Sequence, residues 1–219
     1  MTQFVEKPAN KKSFSLRKPV YGIGINDSLY ITSASIGGKH VQCPYYQAWS
    51  AMIERCYSKA FHKRRPTYIG CSVSPEWLTF SNFRKWMETQ DWKGKALDKD
   101  LIIPNNKVYS QERCMFVSKK INSLLVDRSS DRGPYPIGVS FHKKQNKYRS
   151  VCSDNGVHTL IGEYRSPILA HKSYLKYKSN LIKRTAFEHE AVNFPKLQQA
   201  LLRHSEIFKE KANNLFTDN

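Results

Sequence analysis

The stretch IGVSFHKKQNKYRSVCSDNGVHTLIGEYRSPILAHKSYLKY, residues 137–177, decides the fold class of the C-terminal half of the chain. Apolar and polar residues alternate in it, and turn-forming residues interrupt the alternation twice. This period of two predicts three short strands, at residues 137–141, 148–152 and 159–164. Ser166 and Pro167 then predict the start of a helix, with Ser166 as the N-cap and Pro167 in the first position. Three strands and one helix make a small α+β module.

Positive charge accompanies these strands. Residues 133–178 contain eight Lys or Arg residues and only two acids, and five of the basic residues lie on or beside the strands: Lys143, Lys144, Lys147, Arg149 and Arg165. An ordinary solvated sheet face is one explanation of these charges, and Tyr148 is expected to pack in the core.

The order of residues in this module resembles the ethylene-response-factor (Apetala-type) DNA-binding domain, relatives of which are fused to HNH endonucleases in phages. The matching positions are Gly138-Val139, Lys147-Tyr148-Arg149-x-Val151, Ile161-Gly162-x-Tyr164-x-Ser166 and Ala170-x-x-x-Tyr174. The resemblance implies a three-stranded sheet that lies in the major groove of DNA, with the helix behind it. On such a sheet Arg149 is the predicted contact to a base edge, because a guanidinium can bond bidentately to guanine. Lys143, Lys144 and Lys147 are predicted to contact phosphates.

Upstream of the module, the apolar period changes to that of helices. Apolar residues recur every three or four positions from Tyr45 to Cys56, and a second amphipathic helix is predicted near Ser81 as its N-cap. A strand over residues 97–103, a turn and an extended segment from Val108 are predicted next. Ser110 is then predicted to cap a helix that runs to residue 125.

This middle region, residues 45–126, resembles the HNH endonuclease-like proteins of bacteriophages, many of which are homing endonucleases. The matching positions are Trp49-x-x-Met52-x-x-Arg55-Cys56, Tyr68, Cys71-x-Val73, Glu76-Trp77, Phe83, Leu97-Asp98-Lys99-Asp100, Tyr109-Ser110-x-x-x-Cys114 and Asn122. The resemblance implies a ββα-metal core. In that core Asp98 and Asn122 would hold a divalent cation, Mg²⁺ or Mn²⁺, against the scissile phosphate.

The sequence departs from the family pattern at two catalytic positions. Lys99 occupies the position of the histidine base, and Arg113 occupies that of the central asparagine. A lysine titrates far above neutral pH and is a poor base unless buried, although it contacts phosphate well. Asp100 is the candidate for a surrogate base or a metal ligand. The predicted catalytic set is therefore Asp98, Lys99, Asp100 and Asn122; the alternative is a nuclease scaffold that only binds DNA, with Asp98 in a structural ion pair and no cofactor.

These patterns together predict an α+β protein. A mobile basic arm is expected over residues 1–19, where five Lys or Arg residues accompany one acid, and it would contact phosphates or remain a solvated tail. The predicted domains are a degenerate HNH-like core with flanking helices over residues 20–128, the sheet-and-helix module over residues 129–190, and a C-terminal helix over residues 191–219. A linker is predicted at residues 127–136. In the last helix, a stripe is predicted to pack in the core: Leu197, Leu201, His204 and Phe208.

The overall charge favours a polyanionic partner. The chain has 219 residues with 36 Lys plus Arg against 18 Asp plus Glu, a net charge of +18, which implies self-repulsion unless an anion neutralises it. Nucleic acid is the commonest such partner, and the charge is expected to concentrate in the arm and the C-terminal module. An anionic membrane is less favoured because no basic amphipathic helix stands out. No apolar run reaches the roughly 18 residues of a membrane span. The N-terminus lacks the pattern of a secretory signal.

Five cysteines without a C-x-x-C pair are typical of a reducing compartment. They are predicted to be buried thiols; a zinc site formed by Cys43, Cys56, Cys71 and Cys114 is the alternative.

The sequence thus predicts a double-stranded DNA-binding phage protein of the host cytoplasm, associated with the nucleoid. Two functions are open: a metal-dependent homing endonuclease, or a non-enzymatic DNA-binding regulator or host-takeover factor on the same scaffold. An RNA-binding protein is a third, less favoured interpretation, since it would need exposed stacking aromatics.

Overall fold

The computed structural model describes residues 4–125, 133–154 and 156–215, and the chain separates into two compact units, residues 1–116 and 117–219. Helices alternate with small sheets in both, so the predicted α+β class is confirmed. The division falls at residue 116, whereas the sequence places a boundary at residue 128; most of the predicted linker, residues 127–132, lies outside the described residues. None of the helices described is long and apolar enough to cross a membrane.

The first unit is built from short elements. It contains, in chain order, α1 (Lys11–Ser15), β1 (Ser33–Ile36), β2 (Lys39–Gln42), α2 (Pro44–Tyr57), α3 (Lys59–Arg64), β3 (Ser72–Val73), α4 (Phe80–Glu88), β4 (Ala96–Asp98), β5 (Val108–Tyr109) and most of β6 (Met115–Val117). Strands β1 and β2 form an antiparallel hairpin, β3 pairs in parallel with β5, and β4 pairs with β6. Two 3₁₀ helices, Pro66–Tyr68 and Pro75–Leu78, precede and follow β3.

The N-terminal segment is packed, which differs from the predicted mobile arm. The N–H of Ala9 donates to the carbonyl of Leu29. The Arg17 guanidinium donates to three carbonyls, those of Asn26, Ser28 and Tyr30. Hydrogen bonds from the Arg17 guanidinium and from the local backbone therefore hold this segment against residues 26–30 of the same unit.

Two helices supply the core of this unit. Helix α2 begins at Pro44, one residue before the predicted helical pattern, and buries Trp49, Met52, Ile53 and Cys56 on one face. Helix α4 buries four large apolar residues against them. The Trp49 indole N–H donates to the carbonyl of Trp77 at 2.7 Å, so the buried ring leaves no unsatisfied donor.

Three predictions for this unit are wrong in detail. Thr79, not Ser81, precedes the first residue of α4, because the Ser81 N–H and hydroxyl both bond the Asp27 carboxylate. The strand predicted over residues 97–103 ends at Asp98, where the chain turns.

Ser110 caps no helix. Its carbonyl accepts the N–H groups of Arg113 and Cys114, which turns the chain into β6. The helix that follows is capped instead by the hydroxyl of Ser118, which accepts from the N–H of Ile121.

The second unit contains the predicted sheet and helix. Its elements are α5 (Lys119–Leu125), β7 (Val139–His142), β8 (Lys147–Asp154), β9 (Val157–Tyr164), α6 (Pro167–Thr185), α7 (His189–Val192) and α8 (Pro195–Asn214). Strands β7, β8 and β9 form an antiparallel sheet in that order. The Ser166 hydroxyl accepts from the N–H of Ile168, so the predicted N-cap with Pro167 in the first helical position is confirmed.

Helix α6 packs on one face of the sheet and against α8. Gly138 has φ +78°, and a Cβ built on it would lie 2.1 Å from the Tyr174 ring, so only glycine allows this approach. On the other side, Ser179 and Ser205 each donate to the carbonyl of the other, which brings the two helices close together. The predicted apolar stripe of α8 is confirmed, since Leu197, Leu201 and His204 are buried and Phe208 is partly buried.

Candidate functional site

One face of the sheet carries the predicted DNA contacts. Side chains alternate along β8, so the buried Ser150 and Cys152 point toward the helix side and Arg149 and Val151 point away from it. The cross-strand neighbours of Arg149 are Ser140 on β7 and Glu163 on β9. Arg149, Ser140 and Glu163 therefore lie on the face opposite to α6, which we call the open face, together with the apolar pair Val151 and Leu160.

Arg149 has a carboxylate partner on this face. Its Nε donates to Oε1 of Glu163 at 2.9 Å, and 36 % of the Arg149 side chain remains exposed. The hydrogen bond from Arg149 lowers the pKa of Glu163, which therefore stays ionised through the neutral range. Because such surface pairs contribute little to stability, the main effect of this pair is on the orientation of the guanidinium.

The lysines lie at one end of the open face. Lys143 and Lys144 form a 3₁₀ turn between β7 and β8, which Asn146 closes with φ +52°, and Lys147 begins β8. All three side chains are exposed, and none is ion-paired with a residue that the structure describes. Arg165, directly after β9, is also exposed. The five predicted contacts of the module thus belong to one sheet and its connections.

The aromatic residues of this sheet pack on one another. Tyr148 lies opposite Phe141 in the register, with ring centroids 5.1 Å apart, and its edge meets Tyr135 at 5.3 Å. The prediction that Tyr148 packs rather than stacks on a base agrees with this arrangement.

The predicted catalytic residues of the first unit form a turn after β4. Oδ1 of Asp98 accepts the N–H groups of Asp100 at 2.8 Å and Leu101 at 2.7 Å. Burial raises the pKa of Asp98, although these two backbone bonds oppose the shift. The carboxylate therefore acts as the cap of this turn.

Lys99 is buried in the same turn. Only 6 % of the residue is exposed, and its Nζ donates to both carboxylate oxygens of Asp100 and, at 2.8 Å, to the carbonyl of Asn106. The Lys99 ammonium is therefore not presented to a phosphate. The Asp100 carboxylate is about half exposed, and both of its oxygens accept from Lys99.

Asn106 holds the turn together, and sequence reasoning did not single it out. Its buried amide donates to the carbonyls of Lys99 and Val108, and its Oδ1 accepts from the N–H of Val108. Arg113 is the residue predicted to occupy the central asparagine position, and its Nη1 donates to Oδ1 of Asn106 at 3.4 Å. The signal available in the sequence was the Pro104-Asn105-Asn106 turn, in which Asn105 has φ +62°.

The donors present do not fit the divalent metal that the resemblance implies. Oδ1 of Asp98 caps its own turn, and the described residues contain no group of three or more His, Cys, Asp or Glu side chains that could hold a metal ion. Asn122 lies on α5.

All five cysteines are buried and free, as predicted. Burial raises the pKa of the Cys56 and Cys114 thiols to about 12, so both remain protonated and are weak ligands.

The positive charge is divided evenly between the units. Each contains 18 Lys and Arg residues against nine Asp and Glu, a net charge of +9. The arm over residues 1–19 contributes +4 to the first unit, and residues 133–178 contribute +6 to the second.

Comparison with models of protein families, with curated proteins and with solved structures gives no match for this chain.

Proposed function

We propose that this protein binds double-stranded DNA through the open face of the β7–β8–β9 sheet. The observation that carries the proposal is the cross-strand pair of Arg149 and Glu163, with three exposed lysines at one end of the same sheet. A planar cation that projects from a narrow β-sheet is suited to a base edge in the major groove, which admits β-strands.

We assign a different task to each kind of cation. Glu163 accepts from Nε of Arg149, and the guanidinium keeps two terminal nitrogens that can donate. Those two donors match O6 and N7 of guanine. Lys143, Lys144 and Lys147 would contact phosphates, which position the sheet without reading sequence.

The resemblance to the ethylene-response-factor domain supports the same interpretation. The sheet order, the helix behind it and the Gly138–Tyr174 contact all involve positions of the resemblance. We infer that the chain is a relative of the phage HNH endonuclease-like proteins in which the DNA-binding parts are retained.

Cleavage is the second candidate function. It is favoured by one observation, the pairing of β4 with β6 followed directly by α5, which is the strand–strand–helix order of a ββα-metal core. The capping role of Asp98 and the ion pair of Lys99 favour the non-enzymatic alternative.

A salt titration tests the proposal. Binding to labelled duplex DNA is measured by fluorescence anisotropy and compared with single-stranded DNA and duplex RNA of the same length. If six to ten phosphates are contacted, the affinity for duplex DNA should fall by roughly 10³ to 10⁵ between 50 and 200 mM salt. A flat titration, or a preference for RNA, would contradict duplex DNA binding.

A further inference from the structure

We infer that the first unit carries its own DNA-backbone contact surface, formed by four basic residues of α3 and its C-terminal end: Lys59, Lys63, Arg64 and Arg65. We call these residues the α3 surface. The inference rests on the proposed function and extends it to the unit that lacks the sheet.

The α3 surface has very little negative charge around it in the sequence. No acid occurs between Glu54 and Glu76. Lys59, Lys63 and Arg65 are exposed, and the structure pairs none of them with an acid among the residues that it describes. Arg64 reaches Glu54 only at 3.9 Å, with 70 % of its side chain exposed. Like charges held this close repel one another unless a polyanion neutralises them.

Contacts within the first unit hold the backbone of α3 in place. The Ser58 hydroxyl accepts from the N–H of Phe61 and caps the helix. Nε2 of His62 lies 2.9 Å from the carbonyl of Arg55, which ties α3 to the end of α2. The rings of Phe61 and Tyr68 pack edge to face, with their centroids 5.4 Å apart. A pre-ordered surface loses less conformational entropy when it binds.

The spacing of the cations fits a phosphate backbone. Lys59 and Lys63 are four residues apart on one face of the helix, a rise of about 6 Å. Successive charges on one DNA strand are about 3.4 Å apart along the axis, so the two lysines match about two steps. Since the proposed function gives this chain a DNA partner, we take a nucleic-acid backbone as the occupant of the α3 surface.

The 3₁₀ helix that directly follows the α3 surface, Pro66–Tyr68, contacts the turn after β4 and the start of β5. Nζ of Lys99 lies 5.8 Å from the ring centre of Tyr68, and Nζ of Lys107 donates to the carbonyl of Thr67 at 2.8 Å. DNA bound by α3 would therefore pass beside the Asp98 turn. The first unit would then hold the backbone even though Lys99 itself is buried.

A charge-matched pair of variants tests the inference. Lys63→Gln/Arg65→Gln removes two cations from the α3 surface, and Lys85→Gln/Lys93→Gln removes two exposed cations from elsewhere in the same unit. Each phosphate contact contributes about 0.9 to the slope of log affinity against log salt. We expect the slope for duplex DNA to become shallower by about 1 to 2 for the first variant, equally on all sequences, and to stay at the wild-type value for the second. Lys59→Gln/Lys63→Gln repeats the test should the first variant be misfolded by circular dichroism.

The outcomes separate this inference from the proposed function. A wild-type slope in both α3 variants overturns the inference alone, as does an equal decrease in the control variant, which would assign the effect to net charge. If wild-type protein shows no salt-dependent binding to duplex DNA, the proposed function fails and the inference fails with it.

Discussion

Arg149 is the residue with the most specific expected role, because Glu163 on the next strand sets the direction of its guanidinium. We expect Arg149→Ala to cost about 1 to 3 kcal/mol at the preferred sequence and to relax discrimination there. Lys144→Ala should weaken all sequences about equally, since a phosphate contact carries no sequence information. Competition titrations with preferred and scrambled duplexes measure both effects.

Arg149→Lys is the matched control, because it keeps the charge and removes the planar fork. It should retain affinity for scrambled duplexes and lose the preference. Uniform loss of affinity in Arg149→Ala would show that this side chain contacts no base.

Asp98 should act through its turn rather than through a metal. Asp98→Ala removes the acceptor of two backbone N–H groups and should lower the free energy of unfolding by about 1 to 3 kcal/mol. Asp98→Asn keeps an acceptor oxygen and should lie within about 1 kcal/mol of wild type at neutral pH.

The pH dependence gives an independent check on Asp98. Burial raises its pKa, so ionisation destabilises the folded state, and this penalty develops as the pH rises through the carboxyl range. Asp98→Asn carries no such penalty. Its stability relative to wild type, measured by urea denaturation, should therefore increase between about pH 3 and pH 7; a constant difference would contradict burial of this carboxylate.

At the scale of elements, the contact between β7 and α6 depends on Gly138. A methyl group there would overlap the Tyr174 ring, and the positive φ adds strain. We expect Gly138→Ala to lower stability by about 3 kcal/mol or more. Gly156→Ala is the control, because it shares a positive φ but meets no atom within 4 Å, and it should cost only about 1 to 2 kcal/mol. Equal losses in urea denaturation would rule out the steric contact.

Whether the β4–β6 pair and α5 support DNA cleavage distinguishes the two candidate functions. Lys99 is buried and donates to both carboxylate oxygens of Asp100, so we expect wild type and Lys99→His to leave duplex DNA uncut in Mn²⁺. End mapping on host and phage DNA provides the measurement. Mn²⁺-dependent ends that disappear in Asp98→Ala would instead establish the nuclease.

The sequence predicts long periodic elements well and short ones poorly. The apolar periodicity of the sequence predicts the three strands, the helix that Ser166 caps and the stripe of α8. Each of these elements keeps its periodicity because it packs with one face. The cap at Ser118 and the early end of β4 do not follow from it, since they depend on turns closed by the Ser110 carbonyl and by Asn106. The buried state of Lys99 likewise depends on Asn106, seven residues away.

At the scale of the whole molecule, composition predicts a polyanionic partner but not where the charge lies. Each unit carries +9, and the N-terminal cations expected on a mobile arm belong to a packed segment in which Arg17 bonds three carbonyls. Two basic units on one chain lead us to expect that phosphate contacts are shared between them. The slope of log affinity against log salt for duplex DNA should then be steeper than the contacts of the sheet alone would produce.

Methylation protection tests the placement of the sheet most directly, because dimethyl sulfate attacks N7 of guanine in the major groove. On a duplex selected by the wild-type protein, we expect at least one guanine to be protected by wild type and methylated normally with Arg149→Ala at a concentration that saturates the DNA. Lys144→Ala should retain the protection. Unprotected guanines with wild-type protein, or protection that persists in Arg149→Ala, would contradict a sheet that reads the major groove through Arg149.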